Sequence, residues 1–163
     1  MRLGLFGRAI LCAVCLASPA AAGTVTSTFV VTLTIQAGCA VSAPNNLDFG
    51  TVSFLDTALT GTAAFTVKCT SGTSGTISLN GGIGSSGTVA TRTMESGANS
   101  INYSLYTSGT YTTIWGDGSS GTSTVAHTGD GSAATLTIHG LVPIQPTPTA
   151  ATYSDTITVT VTY

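Results

Sequence analysis

The chain has 163 residues and a formal net charge of −2, and only 6% of its residues are charged. Scarce charge with no basic cluster argues against nucleic acid and anionic membrane as partners. At 42% hydrophobic residues the chain has enough apolar material for one domain with a sizeable core. Its surface must be made of Thr, Ser, Gly and Asn, which suits a protein packed against copies of itself.

Residues 1–22 read as a secretory signal. Arg2 and Arg8 give a positive start, Ala9 to Ala17 an apolar run, and Ala20, Ala21 and Ala22 a small-residue cleavage site before Gly23. The run is too short to span a bilayer. Cys12 and Cys15 lack the small residues that precede a lipidated cysteine. After cleavage two cysteines remain, Cys39 and Cys69. One pair in an exported chain implies one disulfide and an oxidising compartment.

From Thr24 to Ala37 the chain alternates. Val25, Phe29, Val31, Leu33 and Ile35 take odd positions, and Thr24, Thr26, Thr28, Thr32 and Thr34 take even ones. A period of two with many β-branched residues predicts a strand with one apolar and one hydroxyl face. On periodicity alone it reads first as an ordinary first strand of its own domain. A turn at 43–46 leads to Leu47–Phe54, whose apolar residues change parity across Gly50, as at a bulge or kink. Ala63–Cys69 reads as a half-buried strand with Phe65, Val67 and Cys69 on one face. The two cysteines would then bridge the first and third strand regions beneath the core.

Ile77 and Leu79 mark a short strand that ends in a glycine-rich loop. Ile101, Tyr103 and Leu105 form another, answered by Tyr111–Trp115 across a hairpin. Residues 116–131 read as a second loop. Ala134, Leu136 and Ile138 face one way, with Thr135, Thr137 and His139 opposite, and a proline-rich connection follows at 143–148. The chain closes on Tyr153 to Tyr163, alternating again to its last residue. Many short strands between turn signals predict an all-β antiparallel sandwich.

Several of these pieces together resemble one bacterial family, the spore coat protein U domain, which includes subunits of archaic chaperone–usher pili. The matching residues are 38–41 (Gly-Cys-Ala-Val), 47–50 (Leu-Asp-Phe-Gly), 67–69 (Val-Lys-Cys), 92–94 (Arg-Thr-Met), 103–106 (Tyr-Ser-Leu-Tyr), 138–140 (Ile-His-Gly), and 153–156 (Tyr-Ser-Asp-Thr) with its tail. They stand in order across nearly the whole mature chain. Ala151 departs from the glycine usual two residues before the tyrosine. The resemblance implies an incomplete immunoglobulin-like sandwich over 37–163, lacking its last strand, with residues 23–36 as an N-terminal donor strand. It implies strand addition between copies or related pilins, after a periplasmic chaperone and at an outer-membrane usher. Localisation would be the periplasm and then a surface fibre serving attachment and biofilm formation.

The residue pattern fits that picture. Phe29, Val31, Leu33 and Ile35 would plug the groove, and Ile157, Val159, Val161 and Tyr163 would form its accepting strand. Left bare, that strand would be an apolar edge and an aggregation hazard.

No cofactor, small-molecule substrate or catalytic group is expected. His127 and His139 with abundant serines define no triad, and no nucleophile elbow occurs. His139 falls on a threonine face, as a surface histidine would. Asp117 and Asp130 lack the nearby carboxylates of a calcium loop and read as turn residues. Two alternatives remain. A coat or matrix protein could use the same fold without an usher. A sugar-binding tip adhesin could use Trp115, Tyr106 and Tyr111 as an aromatic platform.

Overall fold

The computed structural model describes residues 21–163, so the leader reading falls outside the described residues as far as position 20. The chain divides into two units, Met1–Thr34 and Ile35–Tyr163.

In the first unit, the described residues 21–34 contain no strand. The alternating stretch therefore does not form the strand its periodicity predicts within this single chain. Its Val25, Phe29, Val31 and Leu33 are 81–97% exposed. A strand exists only where a partner takes its N–H and C=O groups, and among the described residues no strand does so here.

The second unit is all-β, with no helix among the described residues. Its strands are β1 (Cys39–Val41), β2 (Leu59–Cys69), β3 (Ser74–Leu79), β4 (Arg92–Ser96), β5 (Asn99–Tyr106), β6 (Val125–Thr128), β7 (Ala133–Val142) and β8 (Val159–Thr162). They form two antiparallel sheets, β1-β2-β7-β5-β4 and β6-β3-β8. The spine is the β2–β7 pair, in register from Leu59 opposite Val142 to Lys68 opposite Ala133. Alternation along β2 turns Ala63, Phe65, Val67 and Cys69 inward, onto Ile77 and Leu79 of β3, Leu105 and Tyr103 of β5 and Ile138 of β7. These apolar inner faces make the sandwich core.

Several elements differ from the sequence reading. Residues 47–54 form no strand. Leu47 and Phe49 are half-buried, Val52 and Phe54 are exposed, and Leu55 is buried. The change of parity at Gly50 is therefore a turn outward, with φ of 83° at Gly50, whose N–H donates to Asp48 Oδ1 at 2.8 Å. β4 and β6 were not predicted. Their short, polar sequences, RTMES and VAHT, carry little alternation. The return after β5 is not a strand but one bridge, Tyr106 opposite Ile114, with Trp115 N–H donating to Leu105 C=O at 2.8 Å. Only Val159–Thr162 of the terminal stretch is strand, preceded by an isolated bridge from Ser154 to Glu95.

The Cys39–Cys69 disulfide forms. The two residues face each other on neighbouring strands β1 and β2, so the bond ties the edge of one sheet and does not run between distant strand regions.

Trp115 is not part of an exposed platform. It is 1% exposed, its ring lies 6.0 Å from Phe65, and its Nε1–H donates to Ile77 C=O at 3.0 Å. An indole buried this way anchors a core, so the aromatic sugar surface loses its largest ring. Tyr106 and Tyr111 meet edge to face at 5.5 Å beside His139, a geometry that offers no flat stacking surface.

Candidate functional site: an open groove beside the last strand

The three-stranded sheet is too narrow to cover the five-stranded one. The uncovered part is a groove of about 520 Å³. Its floor is the inner face of the large sheet, with Ala63, Met94, Tyr103, Leu105 and Ile138. One wall is the segment 44–49 and the other is 153–157 continuing into Val159 of β8.

The first wall is held along β2 by Ser42 N–H donating to Thr66 C=O (2.9 Å) and Asn45 N–H to Ala64 C=O (3.1 Å). Beyond these bonds it dips inward. The reason lies in two glycines that face each other across the β2–β7 pair, Gly61 and Gly140. A methyl group on Gly140 would stand 2.8 Å from Phe49 Cζ and 2.9 Å from Leu47 Cδ1, and one on Gly61 would stand 2.9 Å from Leu47 Cδ2. The missing side chains make the hollow in which Leu47 and Phe49 lie. Glycine inside a strand marks such a close approach, which was the available signal for this contact.

The second wall is a half-finished sheet edge. β8 pairs with β3 from Thr162 opposite Thr76 to Val159 opposite Leu79. Next in line, Thr158 donates its N–H to Asn80 Oδ1 at 2.8 Å and accepts from Asn80 N–H at 3.2 Å. Residues of an antiparallel strand alternate in the direction their backbone groups point. Thr158, Thr160 and Thr162 therefore face β3, and the N–H and C=O groups of Ile157, Val159 and Val161 point away from it. Among the described residues no strand takes them. The side chains of Ile157, Val159 and Val161 are only half-buried, although they pack against the core. Tyr163 lies one residue past β8 and is 61% exposed.

A polar cluster fixes the inner end of this wall. Asp155 accepts from the Tyr103 hydroxyl (2.7 Å, Oδ2) and from Ile83 N–H (2.8 Å, Oδ1). Burial, and then the hydrogen bond to Asp155, push the Tyr103 phenol far above its ordinary range. Next to it Arg92 is fully buried, donating from Nε to Asn80 C=O and from Nη2 to Trp115 C=O, each at 2.9 Å. Burial lowers its pKa, opposed by the nearby Tyr103, Asp155 and Asp117. In the sequence Arg92, Tyr103 and Asp155 stand only as members of matching motifs. Asp155 alone breaks an otherwise apolar face, and that was the signal.

The other candidates disperse. Asp117 is exposed and bonded to the Ser119 hydroxyl and N–H, which hold its carboxyl below the usual range. Asp130 accepts from Ser132 N–H at 2.7 Å. Both are turn residues, and no group of three or more metal-ligating side chains gathers among the described residues. His127 and His139 lie on β6 and β7, in different sheets.

Fold and groove together define a class: an immunoglobulin-like β-sandwich with an apolar cleft and a free strand edge where one more strand would fit. Comparison with protein families gives the particular assignment. The Spore Coat Protein U domain matches residues 25–160, and the chain belongs to that family. No curated protein matches. Among solved structures, one similar chain comes from the CsuC–CsuE chaperone–tip adhesion subunit pre-assembly complex of archaic chaperone-usher Csu pili of Acinetobacter baumannii. The TM-score is 0.56 at 24% identity, covering 80% of this chain and 40% of that one. The likeness is one of fold, and this chain spans about two-fifths of that neighbour's length.

Proposed function

We propose that this protein is a structural subunit of a chaperone–usher surface fibre, and that its groove accepts the N-terminal segment of another subunit as a strand. The observation that carries the reading is the pairing of two incomplete parts in one chain. The groove has a free edge at Ile157, Val159 and Val161, and the 23–36 stretch has strand alternation but, among the described residues, no strand paired with it, with Phe29, Val31, Leu33 and Ile35 75–87% exposed. Burying four such side chains would contribute about 6–12 kcal/mol as an upper figure. Each ladder hydrogen bond adds about 1 kcal/mol net.

On this reading the protein has no catalytic role. It passes through the periplasm, where a chaperone covers the groove, and reaches the cell surface through an usher, in a fibre that serves attachment. Family membership and the fold shared with a chain of a chaperone–subunit complex support these partners.

The test is complementation in trans. Protein beginning at Gln36 is refolded with and without a peptide of residues 24–35. The reading predicts that the peptide raises the melting temperature and the soluble yield. A soluble body that ignores the peptide contradicts it.

A further inference from the structure

We infer that the segment of a second copy lies antiparallel to β8 with Leu33 opposite Val159 and Thr34 opposite Thr158, so that Leu33, not the larger Phe29, is the anchor in the cavity. This rests on the proposed strand addition and specifies its direction and register.

Direction follows from where the body begins and where the groove is open. β1 starts at Cys39, opposite Cys69 at the end of β2. The cavity lies toward the other end: it is lined by Ala63, Tyr103 and Leu105 but not by Phe65 or Val67, which are buried. β8 runs from Val159 at the cavity to Thr162, opposite Thr76 near the start of β3. The body of an incoming copy must sit at one end of this strand. The Thr162 end is the end at which β1 begins, with Cys39 opposite Cys69, whereas the cleft opens at the other end. A body placed at the cleft end leaves the acceptor's own start of β1 free, and copies can follow head to tail in an open chain. A segment whose C-terminal end is at the cavity end runs antiparallel to β8.

Register follows from how far the segment can reach. Thr70 holds the backbone that precedes β1. Its Oγ1 donates to Gln36 C=O at 3.3 Å and its N–H to Gly38 C=O at 2.9 Å. Ile35 is then the last residue able to lie in another copy. The first apolar position at the cavity end is Ile157, since Asp155 is a carboxylate already engaged by Tyr103 and Ile83. Ile35 opposite Ile157 puts Leu33 opposite Val159, over the cavity, and Val31 opposite Val161. Phe29 then falls opposite Tyr163, past the end of β8. The free backbone groups at Ile157, Val159 and Val161 are taken by Ile35, Leu33 and Val31. Thr34 and Thr158 become a non-hydrogen-bonded pair, the closest kind across an antiparallel ladder, about 4.5 Å between Cα atoms. That spacing suits a disulfide.

The experiment uses the mature chain, residues 23–163, carrying T34C with T158C, or T34C with T160C, oxidised and run on a non-reducing gel after boiling. T34C/T158C is expected to give a covalent ladder, and T34C/T160C, the pair that a parallel or shifted strand would favour, is not. In parallel, Leu33→Ala and Phe29→Ala are compared in the otherwise unaltered chain. Leu33→Ala is expected to shorten polymer lifetime by about a hundredfold, as for a buried leucine, and Phe29→Ala by far less. Polymers that form but cross-link through T34C/T160C, or through neither pair, overturn the register. So does a larger loss from Phe29→Ala. If the unaltered chain forms no polymers, the strand-addition reading itself falls.

Discussion

Tyr103→Phe removes one atom from the polar cluster at the groove floor and leaves the ring in place. The hydroxyl is 2.7 Å from Asp155 Oδ2, and the residue is 4% exposed. A hydrogen bond to a charged acceptor contributes about 1.5–3 kcal/mol. Because Asp155 is half-buried and keeps the Ile83 and Thr156 amides, the lower end, about 1.5 kcal/mol, is expected near neutral pH. Alkaline pH gives a sharper test. The folded phenol has its pKa raised, first by burial and then by the bond to Asp155. Its contribution is therefore full below the unfolded value of about 10 and is lost as pH rises above it, at up to about 1.4 kcal/mol per pH unit. Urea unfolding followed by the fluorescence of Trp115, the one tryptophan of the chain, should show native protein more stable than Tyr103→Phe at pH 7. The gap should nearly close by about pH 11. An unchanged gap at both pH values would refute the linkage, and no gap at pH 7 would refute the hydrogen bond.

Three further outcomes are expected. Gly140→Ala places a methyl group 2.8 Å from Phe49 Cζ and should destabilise by about 1–3 kcal/mol by overpacking; pairing it with Phe49→Ala should recover part of the loss in a double-mutant cycle. Reduction of the Cys39–Cys69 bond, which spans 30 residues of sequence, should lower stability by about 3.6 kcal/mol on the chain-entropy account, measured as the urea midpoint with and without reductant. Trp115→Phe strands the Ile77 carbonyl, which now accepts from the indole, and should cost about 1–3 kcal/mol in thermal unfolding.

Strands with strict alternation were legible from the sequence, because a period of two has one structural meaning when β-branched residues fill it. β2, β5 and β7 show this with Phe65, Tyr103 and Ile138 buried where the pattern puts them. The disulfide was legible from cysteine number. β4 and β6 were not, since Arg92–Ser96 and Val125–Thr128 owe their pairing to neighbours and not to their own pattern. The Leu47–Phe49 wall was misread as strand because its apolar spacing is the same; what moves it off the ladder is the space above Gly61 and Gly140, which only the fold brings together. Trp115 ends the stretch that reads as the return strand of a hairpin, and only the sugar-binding alternative needs it exposed; the structure buries its indole in the core. In the alternating 24–37 stretch, sequence specifies a strand-forming face, and among the described residues of one chain no strand pairs with it.

The most direct test of strand addition compares mature protein, Gly23–Tyr163, with protein beginning at Gln36, on gels with and without boiling and by electron microscopy. The account predicts heat-sensitive ladders or fibres from the longer protein and none from the shorter. A shorter protein that is itself a stable, soluble monomer and takes up no 24–35 peptide would contradict it.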